Sequence, residues 1–519
     1  MICVTIARTR HKHTVSEHER LAQEGVELAE LRLDYIGRKA IDLTKLVKQR
    51  PTPVVVTCRR KEDGGRWNRT EEERMMLLRS AIAMGAEYVD LEFDVAVKIP
   101  RYGKTKRIVS LHNFEGTPDD LEDIHKELAA MDADIVKIAA YANNFDDVKR
   151  MLNLMANARV PTIGISMGET GTVTRILASR YNAPFTYCVF DSERRVAPGQ
   201  LSFHQMKDVY RVDSIDENTM LFGVVADPVS HSYSPLIHNA AFAHENLNAR
   251  YVPFRIAPED LREFLEWCPA NGVRGLSVTI PHKETIMPYL SRAETAAQEI
   301  GAVNTVVFDT DSQLLGFNTD YRAAMDCLNE AMKARTDDPE PFKGTHALLL
   351  GAGGVSRAIG YGLRNRGAAV FISSRDMQRS ERLAAQFNAT PVPWTDRYEV
   401  KPGIIVNGTP VGMFPDLDSS PYDAKNIDIR TLFFDTVYNP EQTLLLKMAR
   451  AAGCPTISGI EMFIRQAAYQ YKLFTGKVAP VQQMVKVLRK AISPINYQDL
   501  PDEDDSDDDL TSKLTTPPT

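Results

Sequence analysis

A lysine embedded in an apolar, β-rich run is the first chemical signal in this sequence. Lys137 sits in Asp134-Ile-Val-Lys-Ile-Ala139. Burying its ammonium is costly because desolvation disfavours the charged form. An outward-facing lysine is the plain alternative. Alternation argues against it, since Ile135 and Lys137 share one face of a strand while Val136 and Ile138 share the other. A desolvated lysine can be neutral near pH 7 and attack a carbonyl to form a Schiff base. The iminium then draws electrons from a neighbouring C–H, and a nearby histidine can take that proton. His112 closes the preceding β-rich run. Arg32, Arg59 and Arg175 fall at or near the ends of other runs. Singly these are ordinary solvated arginines, but converging on one face they would hold a carboxylate.

A second signal lies in the other half. Gly351-Ala352-Gly353-Gly354-Val355-Ser356 follows an apolar run at 346–350 and opens a helix-compatible stretch. Glycines let a backbone approach a pyrophosphate, and a helix N-terminus presents unpaired N–H groups to it. The sixth position is Ser356 where the usual pattern has Gly, so the motif is a variant. The next run, 368–374, ends in Ser373-Ser374-Arg375, with Arg379 one helical turn later. Two arginines and no acid at that strand end suit a ribose 2′-phosphate, which favours NADP over NAD. Solvated arginines at a helix start are the alternative, although the helix dipole makes bases mildly unfavourable there.

These residues need elements to position them. Short β-rich runs recur at 2–7, 28–34, 54–59, 88–94, 107–112, 134–140, 161–167 and 185–190, with charged, helix-compatible stretches between them. Strands alternating with helices imply a parallel sheet. Eight units in this length predict a (β/α)8 barrel over 1–215, with chemistry at the C-terminal strand ends. An open doubly wound sheet is the alternative. From 216 a second α/β series begins, and a polar Pro/Gly stretch near 336–344 reads as a linker. A two-domain α/β unit is predicted, 216–335 completed by C-terminal helices at 459–492, and a Rossmann-type domain at 336–458. The remaining 494–519 reads as an acidic, disordered tail.

Composition is that of a globular chain: 519 residues, 43% hydrophobic and 25% charged. The net charge of −7 resides in the tail, leaving residues 1–493 about neutral, which gives no support for nucleic-acid binding. The 6 cysteines are scattered, without C-x-x-C pairs or metal-ligand spacing. No metal is implied. No run of apolar residues is long enough to span a membrane, and the N-terminus has no signal-peptide core. A cytoplasmic protein acting on small molecules is expected, with its oligomeric state open.

The motifs also carry a resemblance. Glu30-Leu-Arg32-Leu-Asp, Thr57-Cys-Arg59 followed by Gly64-Gly65, Ser110-Leu-His112-Asn-Phe, Val136-Lys137-Ile and Ala197-Pro-Gly-Gln200 resemble type I 3-dehydroquinate dehydratase. That family implies Lys137 as the Schiff-base lysine and His112 as general acid/base. Glu30, Arg32, Arg59, Arg175 and Gln200 would hold the substrate. Two positions depart from the pattern. Asp63 stands where the family has a Glu orienting the histidine, and Val196 replaces a Ser or Thr.

Ser232-Tyr-Ser234-Pro, Thr279-Ile-Pro-His-Lys283, Gly301-Ala-Val-Asn304-Thr, Asn318-Thr-Asp320, Asn407-Gly-Thr409-Pro, Asp435-Thr-Val-Tyr438 and Glu461-Met462-Phe-Ile-Arg-Gln466 resemble shikimate dehydrogenase. The resemblance implies Lys283 and Asp320 as a catalytic pair, Lys283 relaying a proton. It implies Ser232, Ser234, Thr279, Asn304, Tyr438 and Gln466 for substrate. For NADP(H) it implies the glycine turn with Ala352 and Val355, then Ser374, Arg375, Arg379, Thr409 and Met462. A structural salt bridge is the bland alternative for Lys283 and Asp320, and His282 reads as packing. Ser277 and Glu461 are similar to the plant-type fused enzymes, which join these activities in this order. The implied function is dehydration of 3-dehydroquinate followed by NADPH-dependent reduction of 3-dehydroshikimate, in aromatic amino acid biosynthesis. Alternatives are a quinate/shikimate catabolic enzyme and a non-catalytic scaffold.

Overall fold

The computed structural model describes residues 1–37, 41–191, 193, 196–230 and 232–493, so the predicted acidic tail lies outside the described residues. Two compact units are present: Met1–Pro235 with Asn248–Gly272, and Leu236–Leu247 with the described chain from Val273 onward.

In the first unit, eight strands alternate with helical segments: β1 (Ile2–Ile6), β2 (Leu28–Arg32), β3 (Val54–Thr57), β4 (Tyr88–Glu92), β5 (Lys106–Asn113), β6 (Ile135–Tyr141), β7 (Thr162–Met167) and β8 (Thr186–Val189). Their hydrogen-bonded order, β7-β6-β5-β4-β3-β2-β1-β8, is a parallel barrel that is closed except at a seam between β7 and β8. β-Branched strands such as Val54-Val-Val-Thr57 suit this buried sheet. Between strands the helices carry local signals, for example the capping box in which Thr70 and Glu73 close the start of Glu71–Ala83. Cys3, Leu28, Val55, Ile108, Ile135, Ala139 and Ile163 fill one core cluster. Ile135 and Ala139 flank Lys137 two residues either side, so period-2 alternation turns Lys137 toward the same interior.

The unit continues through β9 (Met220–Ala226) and β10 (Ala249–Arg255), paired in parallel with Phe222 opposite Tyr251. Phe145 of a barrel helix meets Phe264 edge-on at 5.2 Å and Trp267 at 5.4 Å. Arg180 donates to the carbonyls of Asp216, Thr219 and Asn271. The segment after the barrel is therefore packed against it.

In the second unit, β11 (Val273–Val278), β12 (Arg292–Ala293), β13 (Thr305–Phe308) and β14 (Leu314–Phe317) form a mixed arrangement: β13 runs antiparallel to β11 and β14, and β12 parallel to β14. The antiparallel β13–β14 hairpin is a feature that the expected βα alternation did not contain. Then come β15 (His346–Leu350), β16 (Ala369–Ser374), β17 (Thr390–Pro393), β18 (Ile404–Asn407), β19 (Leu432–Asp435) and β20 (Thr456–Ile457). All are parallel, in the order β17-β16-β15-β18-β19-β20. This is the 3-2-1-4-5-6 order of a dinucleotide-binding sheet, whose ligand crevice opens at the C-terminal end of its first strand. The amphipathic 459–492 segment forms two helices, Gly459–Thr475 and Val481–Ile492, separated at Gly476, where φ is +71°. Glu461 has a local purpose: it completes a capping box with Ser458 at the start of the first.

Candidate active sites

The barrel opens into a pocket at the C-terminal strand ends, lined by Glu30, Arg32, Arg59, His112, Lys137 and Arg175 among others. Lys137 Nζ lies 2.9 Å from Asp90 Oδ2 and 4.3 Å from the centre of the Tyr187 ring. The lysine is thus held by a carboxylate that sequence reasoning did not single out. Asp90 also accepts Ser110 Oγ–H at 2.6 Å and pairs with Arg59 at 2.8 Å. Burial opposes its ionisation, but the charges of Arg59 and Lys137 outweigh burial and hold Asp90 well below the usual carboxylate range. Behind it, Glu92 joins Arg59 at 3.3 Å to the fully buried Arg74 at 2.8 Å. The signal for these acids was present: alternation in Tyr88-Val-Asp-Leu-Glu92 puts both on the face of Tyr88, which packs against the barrel interior.

His112 is pressed well below its ordinary pKa, first by burial and then by the cations of Arg59 and Lys137. A neutral imidazole near pH 7 follows, the form that can accept a proton. Its Nδ1 has no partner among the described residues. Asp63 does not orient it. That carboxylate accepts from Arg60 Nε at 2.7 Å instead, and Arg60 in turn engages Asp94 at 2.9 Å. The shorter Asp63 side chain lines the pocket but is anchored to its own turn. Gly64 is favoured there by its φ of +78°, which an L side chain rarely adopts.

The three arginines expected to share a carboxylate are not equivalent. Arg32 is forked onto Asp34 at 2.9 and 2.8 Å, and Arg59 is neutralised by Asp90 and Glu92. Arg175, 2% exposed in the segment Thr172–Ile176, has no acidic partner among the described residues. Its Nη1 makes one long contact of 3.4 Å to the Tyr187 carbonyl, and its Nε is unpartnered. Burial pulls its pKa down to about 10. A buried guanidinium left in this state is chemically suited to receive an anion. Glu30 accepts the hydroxyls of Thr5 and Thr57, both at 2.8 Å. Gln200 Oε1 accepts the N–H groups of Val196 and Ala197 at 2.8 and 3.1 Å, so it braces the loop at the pocket rim. Val196 offers only backbone and apolar surface there.

In the second unit Lys283 Nζ lies 2.6 Å from Asp320 Oδ2. Asp320 is in the first turn of the helix Thr319–Lys333, which Asn318 caps. The Lys283 stem runs close to the glycine turn: a Cβ on Gly354 would lie 3.3 Å from Lys283 Cδ. The ion pair therefore borders the start of the helix Gly354–Asn365. Asn304 is turned into the protein, its amide bonded to Thr319 and its oxygen accepting Thr305 Oγ–H and Thr319 N–H. Gln466 donates to the Phe463 carbonyl at 2.9 Å, and Tyr438 stacks on Phe463 at 4.3 Å. Gln470 is the hub that sequence reasoning missed: it accepts from Ser277 Oγ at 2.8 Å and donates to Thr305 Oγ1 at 3.1 Å. The partly buried Thr279 directly follows β11 and opens the turn into the next helical segment, its carbonyl accepting His282 N–H at 2.8 Å. In the first unit, Ser232 Oγ accepts the N–H of the buried Ser234 at 3.3 Å.

The glycine turn passes a direct test for a dinucleotide phosphate. Gly351 has φ of +105°, and a Cβ there would meet the Gly408 carbonyl at 2.9 Å. Nothing lies within 4 Å of a Cβ built on Gly353. The helix Gly354–Asn365 has no capping side chain and no acid in its first turn, so its N–H groups are open to an anion. Ser356 is tolerated in the glycine position because Gly408 faces it: a Cβ at 408 would fall 2.1 Å from Ser356 Oγ. After β16, Arg375 is exposed and Arg379 pairs loosely with Asp376 at 3.4 Å. Asp376 caps the next helix, and Ser374 Oγ is hydrogen-bonded to Ser380 at 2.7 Å. Thr409 binds Asn407, which donates to Asp435 at 2.9 Å. Ala352 and Val355 pack against the core, and Met462 is 5% exposed within it, so Met462 has little surface for a ligand.

Comparisons with known proteins match three segments of the chain. Residues 2–217 match the family model of type I 3-dehydroquinase, 224–306 that of the shikimate dehydrogenase substrate binding domain, and 459–489 that of the shikimate 5′-dehydrogenase C-terminal domain. The chloroplastic bifunctional 3-dehydroquinate dehydratase/shikimate dehydrogenase of Arabidopsis thaliana is 34% identical over 510 residues, 94% of this chain and 84% of that protein. The shikimate dehydrogenase (NADP(+)) of Desulforamulus reducens is 36% identical over 291 residues, covering 54% of this chain and 98% of its own. A crystal structure of shikimate 5-dehydrogenase from Thermus thermophilus in complex with NADP(H) and shikimate is 35% identical, covering 52% of this chain and 99% of its own, with a TM-score of 0.46.

Proposed function

The chain belongs to the bifunctional 3-dehydroquinate dehydratase/shikimate dehydrogenase family, and we propose that its barrel and its glycine-turn half carry out the two steps in succession. The observation that carries the reading is the pair of unlike sites: a lysine, a neutral histidine and an unpaired arginine around one pocket, and a Lys–Asp pair bordering a dinucleotide turn in the other half. The domain division is 1–215, 216–335 completed by 459–492, and 336–458.

In the barrel, Lys137 forms an imine with the ketone of 3-dehydroquinate as water leaves. Its Nζ gives a proton to the neutral His112, which returns it to the leaving oxygen, while Asp90 at 2.9 Å holds the nitrogen in place. His112 takes the proton from the carbon beside the imine and returns it to the departing hydroxyl, which leaves as water. Hydrolysis then frees 3-dehydroshikimate and Lys137. Arg175 anchors the carboxylate, while Glu30, Arg32, Arg59 and Gln200 shape the hydroxyl-binding surface.

In the second half, NADPH would, when bound, be the source of the hydride for the ketone of 3-dehydroshikimate. Lys283 stabilises the alkoxide and gives it a proton, and Asp320 keeps the ammonium in place. Gly351, Gly353 and Gly354 with the helix start would hold the pyrophosphate, and Arg375 and Arg379 would take the 2′-phosphate. Ser232, Ser234, Thr279, Asn304, Tyr438 and Gln466 are assigned to the substrate's hydroxyls and carboxylate. We also assign the protein to the cytoplasm, supported by six free, buried cysteines, as expected of a reducing compartment. No helix of the described residues is long and apolar enough to cross a membrane.

The direct test incubates purified protein with 3-dehydroquinate and NADPH, follows NADPH absorbance and identifies the product. Shikimate formation supports both halves. Lys137→Ala is expected to stop it from 3-dehydroquinate but not from 3-dehydroshikimate. Undiminished dehydration by that variant would refute the Schiff-base mechanism.

A further inference from the structure

The barrel loop that follows β7 touches two other loops of the first unit. Gly168 N–H donates to the Pro198 carbonyl at 3.4 Å, and a Cβ on Gly199 would lie 2.3 Å from the Gly168 carbonyl. The turn 198–199 is thus laid backbone to backbone against this loop, immediately before Gln200 braces the pocket rim. The next residue, Glu169, bonds elsewhere. Its Oε1 accepts the N–H groups of Val229 at 3.2 Å and Ser230 at 2.8 Å. Its Oε2 lies 3.5 Å from Arg255 Nε, which also binds Asp227 at 2.8 Å.

The turn held in this way leads directly to Ser232 and Ser234. The Val229 carbonyl accepts Ser232 N–H at 3.2 Å, and Ser232 Oγ accepts Ser234 N–H at 3.3 Å. The chain of contacts is unbroken from a barrel carboxylate to two serines assigned to the other activity. Two backbone N–H bonds to a single carboxylate oxygen fix a turn's position more than they add net stability, because both are partly open to water. Glu169 has no place in the dehydratase mechanism, which leaves its arrangement without a purpose in the barrel's own chemistry.

We propose that Glu169, a residue of the barrel, is a positioning residue for the dehydrogenase: it sets the 227–230 turn so that Ser232 and Ser234 meet the substrate. The inference rests on the functional reading above.

The test uses the full chain with Glu169→Ala, Glu169→Gln and Arg255→Met, measuring shikimate oxidation with NADP+ and 3-dehydroquinate dehydration in parallel. Glu169→Ala is expected to raise KM for shikimate about three- to tenfold, the range for losing one or two hydrogen bonds. Its kcat, its KM for NADP+ and its dehydratase activity should stay within about twofold of wild type, the last showing that the barrel remains folded. Glu169→Gln keeps an oxygen for both N–H groups and should restore most of the KM. Arg255→Met removes the partly exposed ion pairs to both Glu169 and Asp227 but leaves the two N–H bonds to Glu169, and should change KM less than Glu169→Ala does. An unchanged KM in an active Glu169→Ala protein overturns the inference alone. So does a loss confined to kcat, or a Glu169→Gln protein as impaired as Glu169→Ala. Wild-type protein unable to oxidise shikimate overturns the functional reading and this inference with it.

Discussion

Replacing Arg175 by methionine should weaken the dehydratase and strengthen the ligand-free barrel at once. The guanidinium is 2% exposed and, among the described residues, no acid answers its charge. Burial lowers its pKa from the ordinary arginine range, by about two units or more, to about 10. At roughly 1.4 kcal/mol per pKa unit, the charged form costs the folded state about 3 kcal/mol. The sign follows from the direction of the shift. The folded value lies below the unfolded one, so the unfolded chain binds the proton more tightly, and the cost applies at every pH below 10. It is relieved only as pH rises from about 10 into the ordinary arginine range. Methionine carries no charge, has a similar reach and sacrifices only the 3.4 Å contact to the Tyr187 carbonyl. The barrel's melting transition should therefore rise by several degrees, since about 1 kcal/mol corresponds to roughly 2–4 °C at this domain size. In the complex the balance reverses. A substrate carboxylate would pair with the buried Arg175, and truncating one partner of such a pair costs about 2–5 kcal/mol. The kcat/KM for 3-dehydroquinate should fall roughly 10²- to 10³-fold. Calorimetry of the ligand-free protein, together with steady-state dehydration rates, checks both signs. A variant that melts lower than wild type while retaining its kcat/KM would refute the assignment of Arg175 as an unpaired anion receptor.

Two further predictions concern the second half. Arg375→Ala should raise KM for NADPH about tenfold, as for the loss of one charge-assisted contact to phosphate, while leaving NADH use unchanged. Arg379→Ala should do less, because Arg379 already shares Asp376. Equal effects on NADPH and NADH would count against a 2′-phosphate site. Burial pushes Asp435 up to about 6, although Thr443, Val437 N–H and Asn407 all donate to its carboxylate. Its folded pKa lies above its unfolded value, so the folded state binds more protons between pH 4 and 6, and stability is lost as pH rises through that window, by about 3 kcal/mol in all. Asp435→Asn removes the titration. Thermal melts from pH 4.5 to 7.5 should show wild type declining relative to the variant, and parallel curves would contradict the assignment.

Much of the site was legible because strand alternation is a local property. Ile135, Lys137 and Ala139 share a face wherever the chain runs, and that face proved to be the barrel interior. The same rule, applied to Tyr88, Asp90 and Glu92, identifies the buried acids, which sequence reasoning passed over because no motif included them. The glycine turn was also readable, since φ of +105° at Gly351 is a backbone requirement that the residue type itself reports. Asp63 shows the limit. Its spacing from the Gly-Gly pair suggested a partner for His112, but one methylene fewer and an arginine three residues back at Arg60 gave the carboxylate a nearer cation.

Residue types and their spacing by themselves determined the barrel, the dinucleotide half, the reactive lysine and the histidine. Periodicity, turn chemistry and motif order act over a few residues and survive in one dimension. Only the tertiary structure decided which charges are free. Arg32, Arg59 and Arg175 are alike in sequence, yet Asp34 takes the first and Asp90 with Glu92 the second, while the third is left unanswered. The same holds for Lys137 against Asp90, 47 residues earlier, and for Glu169 against the turn at 229–230. Charge compensation depends on distances of a few ångströms between strands remote in sequence, and those distances exist only once the chain has folded.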